Sequence, residues 1–474
     1  MTAAHPHPDR LLGVDPAARE IARELYGVSA QAPIISPHGH LSAQMLAANQ
    51  PFTDPAQLFV TPDHYVTRLL HASGIPLDQL GLGEATTVPR EVWRTLCANW
   101  FRFAGTPVRY WLEDTLARVF ALTVELGPAT ADDVYDELSD RLAQAEYRPL
   151  ELLKRFGVEV LATTDDPADS LEHHRRLAAD SAVSTRVIPT LRADSYMSPD
   201  ASVWRERLDA LAAASGQDCQ TYQGLIAAIR DRRGVFADHG ATATDCGVAD
   251  AWATQLSDQQ ANALHRQGLD GTITAEGASA YRRNMLFEFG RMAAEDGLVM
   301  QLHAGVIRNH HTPTFDRFGP DTGHDLPAVT SYSEPLRDLL NDVGTHPRFR
   351  IVLFTVDETA FSRDIAPLAG FYPSVYAGAP WWFLDAPAAV ARYRAAVTET
   401  AGFYKTSGFI DDTRALCSIP ARHDMSRRLD AAYLASLVVN QELREPEAHT
   451  LARALVSDIP RDAFRLPPPG GRRD

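Results

Sequence analysis

The chain is poor in lysine and cysteine, has no long apolar run and carries no excess of positive charge. Each shortage removes a class of function. Of 45 basic residues in 474, only Lys154 and Lys405 are lysines, so lysine chemistry has almost nowhere to sit. The four cysteines (Cys97, Cys219, Cys246 and Cys417) show no C-x-x-C spacing. They read as reduced, buried apolar residues rather than a disulfide framework or a zinc knuckle. No apolar run approaches the roughly 18 residues a bilayer-spanning helix needs. The first ten residues, MTAAHPHPDR, lack the apolar stretch of a signal peptide, which points to a cytoplasmic location. Acidic residues outnumber Lys and Arg by 61 to 45, a net charge of −16 that repels nucleic acid and anionic membrane surfaces. A small anionic substrate stays compatible, because a few local arginines outweigh a distant field.

What is present is a globular composition, 45% apolar and 22% charged, with enough chain for two or three domains or one large barrel. Short, continuously apolar β-type runs are expected at 33–35, 158–164, 186–191, 235–238, 298–303, 351–356, 374–377 and 408–411. Continuous rather than alternating apolarity suits strands buried on both faces of a parallel sheet. Helical periodicity lies between most of them, as at 280–295, which Gly297 should end, and after Ser333-Glu334-Pro335. Eight strands with intervening helices predict an α/β fold, a (β/α)8 TIM-type barrel with a helical insertion after the first strand. The expected organisation is a tail and lead-in helix over 1–31, a barrel over 32–465 holding a helical subdomain over 50–155, and a loose end over 466–474.

Chemistry in such barrels gathers at the carboxyl ends of the strands. After the first run comes Ser36-Pro37-His38-Gly39-His40. Two imidazoles at i and i+2 on extended chain project to one side and can share a cation. The same H-x-H at His5-Pro6-His7 has no strand before it and is discounted. The fifth run ends at His303, and the last delivers Asp411-Asp412-Thr413-Arg414, where a carboxylate suits a hard divalent ion. Taken alone, His303 reads equally as a structural hydrogen-bonder and Asp412 as a helix cap. The fourth run ends in Asp238-His239-Gly240, and Arg192 after the third can fork onto a carboxylate. Binuclear hydrolases of this barrel type bridge two metals with a carboxylated lysine at a strand end. Both lysines here precede strands, which favours one metal.

Taken together, HGHLS at His38, the Asp63-His64-Tyr65 triplet, TTDDP at Thr163, PTLRAD at Pro189, ADHG at Ala237, MQLHAGVIRN at Met300, GPDTG at Gly319, APWWFLD at Ala379 and DDTR at Asp411 resemble the uronate (glucuronate) isomerase family of the amidohydrolase superfamily. The resemblance runs from about Ala32 to Val438. It implies His38, His40 and Asp412 as ligands of one divalent metal, with zinc expected. It also implies that His64, Tyr65, Arg192, Asp238, His303, Trp381 and Arg414 surround a sugar acid. The implied reaction interconverts glucuronate with fructuronate and galacturonate with tagaturonate. Ser36 stands where the family usually has Asp, His310-His311 replaces an Asn pair, and Asp357 replaces a common Asn.

Such an isomerisation moves one proton between adjacent carbons through an enediolate, and needs a base, oxyanion stabilisation and a grip on the sugar. Asp412 or Tyr65 is expected to move the proton, with Arg414 holding the neighbouring charge. Arg192, with or without Arg414, is expected to grip the substrate carboxylate. The alternative is a mononuclear metal-dependent amidohydrolase or deaminase, which would use the same ligands to activate water. A non-catalytic sugar-acid binder is a further alternative. The expected partners are a small-molecule sugar acid and copies of the same chain, with no nucleic acid and no membrane.

Overall fold

A computed structural model describes residues 6–83 and 87–468. His5 of the first H-x-H and residues 469–474 of the loose end lie outside them. Among the described residues ten strands occur: β1 (Ile34–Ser36), β2 (Val158–Ala162), β3 (Arg186–Ile188), β4 (Leu191–Arg192), β5 (Ala243–Val248), β6 (Val299–Ala304), β7 (Val306–Ile307), β8 (Leu326–Pro327), β9 (Ile351–Thr355) and β10 (Val375–Ala377). β1, β2 and β3 pair in parallel in that order, and a second parallel sheet runs β10-β9-β6-β5-β4. A parallel bridge from Asp165 to Leu191 joins the two. β7 and β8 form a separate antiparallel hairpin. The fold is therefore α/β, with parallel strands separated by helices.

Local chemistry sets the elements. Asp15 accepts the Ala18 N–H at 2.8 Å and opens the helix Pro16–Ala30. Thr274 caps the helix Ala275–Asp296, and Gly297 at φ +82° ends it in a left-handed turn that a side chain would strain. Between β1 and β2 the chain is helical as expected, with Pro89–Ala98, Pro107–Arg118 and Ala131–Leu142 the longest pieces. They bury Trp93, Leu96, Leu116 and Leu138 in the core that also holds Ile34 and Val160. A second core, including Met300, Leu302 and Leu353, fills the space around the five-stranded sheet. A third ties Pro16–Ala30 to Ile419–Val439 through Ala22, Leu25, Leu434 and Ala435. No helix among the described residues is long and apolar enough to cross a membrane.

Three expectations are corrected. The run at 235–238 is no strand but the last turn of the helix Tyr222–Asp238, which Thr221 caps. The strand in that place is β5, ATDCGV, whose polar letters hide six residues paired with β6. Segment 408–411 forms no ladder; its neighbourhood touches the sheet only through the bridge from Ala377 to Thr406. The proposed start at Ser333 is a turn, and the helix there is Arg337–Val343.

Candidate active site

The carboxyl ends of the strands open into a cavity of about 1150 Å³. His38 and His40 reach it from the segment after β1, and Asp412 from the segment before the helix Ile419–Val439. Asp412 lies in the left-handed region at φ +40°, one of several such non-glycine residues on this wall, with Asn309, Asp321 and Trp382. Its Oδ1 stands 3.3 Å from His38 Nε2 and 3.0 Å from His40 Nε2. His38 Nε2, His303 Nε2 and Asp412 Oδ1 are buried without a hydrogen-bond partner. Buried polar atoms are ordinarily satisfied, so the orphaned His38 Nε2 and Asp412 Oδ1 beside His40 fit a cation. His38, His40 and Asp412 offer ligand atoms within 4.8 Å of one another. Two imidazoles and a carboxylate form a donor set that suits zinc.

Around this trio sits a charged frame. His303 Nδ1 lies 2.7 Å from Asp245 Oδ1, and Asp245 Oδ2 is 3.0 Å from Arg192 Nη1. Arg192 Nε donates to Asp194 at 2.7 Å. A Cβ on Gly247 would stand 2.5 Å from Arg192 Nη2, so glycine lets the guanidinium lie against β5. Burial would raise the Asp412 carboxyl, but His38 and His40 outweigh it and hold Asp412 well below the usual range. Burial likewise opposes ionisation of Asp245, and Arg192 and His303 overcome it. Burial, followed by the nearby Arg414, drives the His64 imidazole down to about 4, so it is neutral at physiological pH.

Of the residues expected at the site, His38, His40, His64, Tyr65, Arg192, His303, Trp381, Asp412 and Arg414 all line the cavity. Asp238 does not. It is exposed at the end of a helix, and the carboxylate brought to His303 belongs to Asp245. Asp245 follows no apolar run, so only strand pairing reveals it. Burial pushes the Tyr65 hydroxyl far above the usual tyrosine value, and the adjacent Arg422 opposes this without reversing it. Trp381 packs edge-on to His303 with ring centroids 4.7 Å apart. Arg414 Nη2 donates to Asp321 at 2.9 Å across the cavity mouth. Ser36, His310, His311 and Asp357 are not among the residues lining the cavity.

Histidines, a carboxylate and arginines gathered around one cavity at the carboxyl ends of parallel strands define a class of α/β enzyme whose residues could hold a metal ion. The glucuronate isomerase family profile matches residues 16–463, and the chain belongs to this family. It is 46% identical over 470 residues to the uronate isomerase of Corynebacterium efficiens, spanning 98% of this chain and 100% of that protein. The crystal structure of glucuronate isomerase from Caulobacter crescentus is similar at TM-score 0.97 and 41% identity, covering 100% of this chain and 99% of that one. The uronate isomerase structure from Thermotoga maritima follows at TM-score 0.91 and 29% identity, with 97% and 99% covered.

Proposed function

We propose that the protein interconverts hexuronates as aldoses and ketoses, D-glucuronate with D-fructuronate and D-galacturonate with D-tagaturonate. The observation that carries this reading is the convergence of His38, His40 and Asp412 beside Arg192 and Arg414 in one cavity. His38, His40 and Asp412 would hold one divalent ion, zinc in our reading, which would supply Lewis-acid polarisation of substrate oxygens. Asp412 is ionised at neutral pH and its Oδ1 faces the two imidazoles, leaving Oδ2 to take the C2 proton and return it to C1. Tyr65 keeps its proton and acts as a hydrogen-bond donor to a substrate oxygen. Arg414 supplies positive charge where the enediolate oxygen develops. Arg192, engaged by Asp194 and Asp245, adds positive potential behind His303. His64 and Trp381 give the sugar an uncharged wall.

We further read the two parallel sheets as arcs of one (β/α)8 barrel over 32–465, with 50–155 as a helical subdomain. In this reading the enzyme is cytoplasmic and assembles with copies of itself. The test is direct. Purified protein is incubated with D-glucuronate and the sugars are followed by proton NMR. The ketose should accumulate to an equilibrium approached from either side. A product formed by addition of water, or no ketose at all, would overturn the isomerase reading.

A further inference from the structure

Asp412 lies at φ +40°, in the left-handed region, where a residue with a side chain stays only if its surroundings hold it. The holders can be traced. The first turn of the helix Ile419–Val439 grips the residue before Asp412 twice. Arg422 Nη1 donates to the Asp411 carbonyl at 3.3 Å, and His423 Nε2 lies 3.0 Å from Asp411 Oδ2. The residue after Asp412 is tied as well. Thr413 Oγ1 accepts the Ala415 N–H at 2.9 Å and lies 3.2 Å from Ser418 Oγ, which accepts from Arg422 Nε at 3.1 Å. The His40 N–H donates to the Thr413 carbonyl at 3.1 Å, which links the two segments that carry the trio.

Arg422 is itself fixed from several sides. It is 1% exposed, and a charge so buried needs a partner. Asp385 Oδ2 supplies it, accepting from Nη1 at 2.5 Å. A terminal guanidinium nitrogen carries two hydrogens, so Nη1 serves Asp385 and Asp411 together. The guanidinium carbon stands 3.7 Å from the Trp111 ring centroid and 5.1 Å from that of Tyr65, close enough for cation–π attraction to both. Trp111 lies on the helix Pro107–Arg118 and Tyr65 on the helix His64–Ala72, both between β1 and β2. Asp385 follows Trp381 and Trp382 of the cavity wall. One side chain thus joins the segment of Asp412, the tryptophan wall and the helices that carry Tyr65 and Trp111.

From this convergence we propose that Arg422 is a positioning residue of the isomerisation: it fixes the peptide ahead of Asp412, and with it the direction of the Asp412 carboxylate relative to Tyr65. The inference rests on the isomerase reading and adds a group that acts on the reacting atoms only through others. Lysine cannot replace it fully, since one nitrogen and no plane cannot meet Asp385, Asp411, Ser418 and Trp111 at once.

The experiment compares wild type with Arg422→Gln and Arg422→Lys. A reacting group misplaced by about 1 Å loses on the order of 100-fold in rate, so kcat on D-glucuronate should fall about 100-fold in Arg422→Gln. Arg422→Lys keeps a charge beside Asp385 and should recover part of that loss. KM for glucuronate should stay that of wild type in both, as should the calorimetric affinity for D-glucarate, a diacid with no aldehyde to isomerise. Loading each protein with cobalt(II) gives a readout without turnover, because the visible bands of the ion follow the placement of its ligands. Those bands should shift in both variants. Arg422→Lys leaves Asp385 paired and decides alone if Arg422→Gln does not fold. The proposal is overturned if Arg422→Lys keeps either the wild-type kcat or the wild-type cobalt spectrum. It is equally overturned if glucarate affinity falls in step with kcat, which would make Arg422 a substrate contact. A wild type that makes no ketose would refute the isomerase reading instead, and the cobalt spectra then decide whether Arg422 places Asp412.

Discussion

Two clusters of buried charge in this molecule look alike in composition and differ in completeness. At the cavity, His38, His303 and Asp412 present buried nitrogens and an oxygen that no protein group satisfies. Where the N-terminal segment meets the helices Pro107–Arg118 and Ile419–Val439, Asp424 accepts from Arg428 at 2.7 Å, from Arg10 at 3.0 Å and from Arg118 at 3.2 Å, and also from the Tyr26 hydroxyl. Asp114 accepts from Arg118 and Arg10 beside it. In the second cluster the protein supplies partners to both carboxylates, and the product is a fixed junction. In the first, it withholds them, and in the reading proposed above that leaves room for a ligand. An incomplete donor set is kept for a ligand, because leaving it empty costs stability that a purely structural cluster avoids.

The contrast can be broken by mutation, and the largest effect is expected at the incomplete cluster. Asp412→Asn should lower kcat by about 10³-fold, roughly 4 kcal/mol of barrier, and reduce the zinc retained on gel filtration. Stopped assays and elemental analysis measure the two, and a variant with near wild-type turnover removes Asp412 from its role. Asp424→Ala strikes the complete cluster and leaves several arginines without their shared carboxylate. It should cost about 3–5 kcal/mol in urea unfolding while KM for glucuronate is unchanged. An activity loss exceeding the stability loss would show that the two clusters are coupled.

Acid sharpens the same comparison. Burial works against the Asp424 carboxylate, but Arg118 and Arg428 hold it well below the usual range. A depressed folded value means stability present above the unfolded carboxyl value, near 3.9, and lost as pH falls toward the folded one. Below about pH 4 wild-type stability should therefore fall more steeply than that of Asp424→Asn, by up to about 1.4 kcal/mol per pH unit for this proton. Equal slopes in the two proteins would mean that the carboxylate is not depressed. The smallest effect is expected at the surface. Arg94 forks onto Asp132 with both contacts at 2.9 Å, yet both side chains are exposed and screened. Arg94→Ala should leave the urea midpoint unchanged within error, and a clear drop would place real stability in an exposed pair.

Much of the cavity is legible in the linear order because its donors directly follow apolar runs. His38 and His40 come straight after β1, and His303 lies within β6, as continuous apolarity indicates. The fourth expected strand fails for a physical reason. VFAD is apolar enough to read as extended chain, but it completes a helix of 17 residues, and helix propagation over that length wins. Asp238 goes with it. The carboxylate that meets His303, Asp245, sits in ATDCGV, where Thr, Asp and Gly suppress any strand signal. The register that pairs Gly247 with His303 carries Asp245 to the imidazole.

Composition and order by themselves determined the kind of chemistry available: almost no lysine, one paired-imidazole segment in strand context, a late aspartate and an arginine supply. Those features are local, since a side chain's donor atoms and a run's periodicity do not depend on distant residues. Which arginine grips the segment of Asp412, which carboxylate meets His303 and whether Tyr65 can lose its proton were decided only in three dimensions. Hydrogen-bond occupancy and burial are set by neighbours tens to hundreds of residues away, and no stretch of linear sequence contains them.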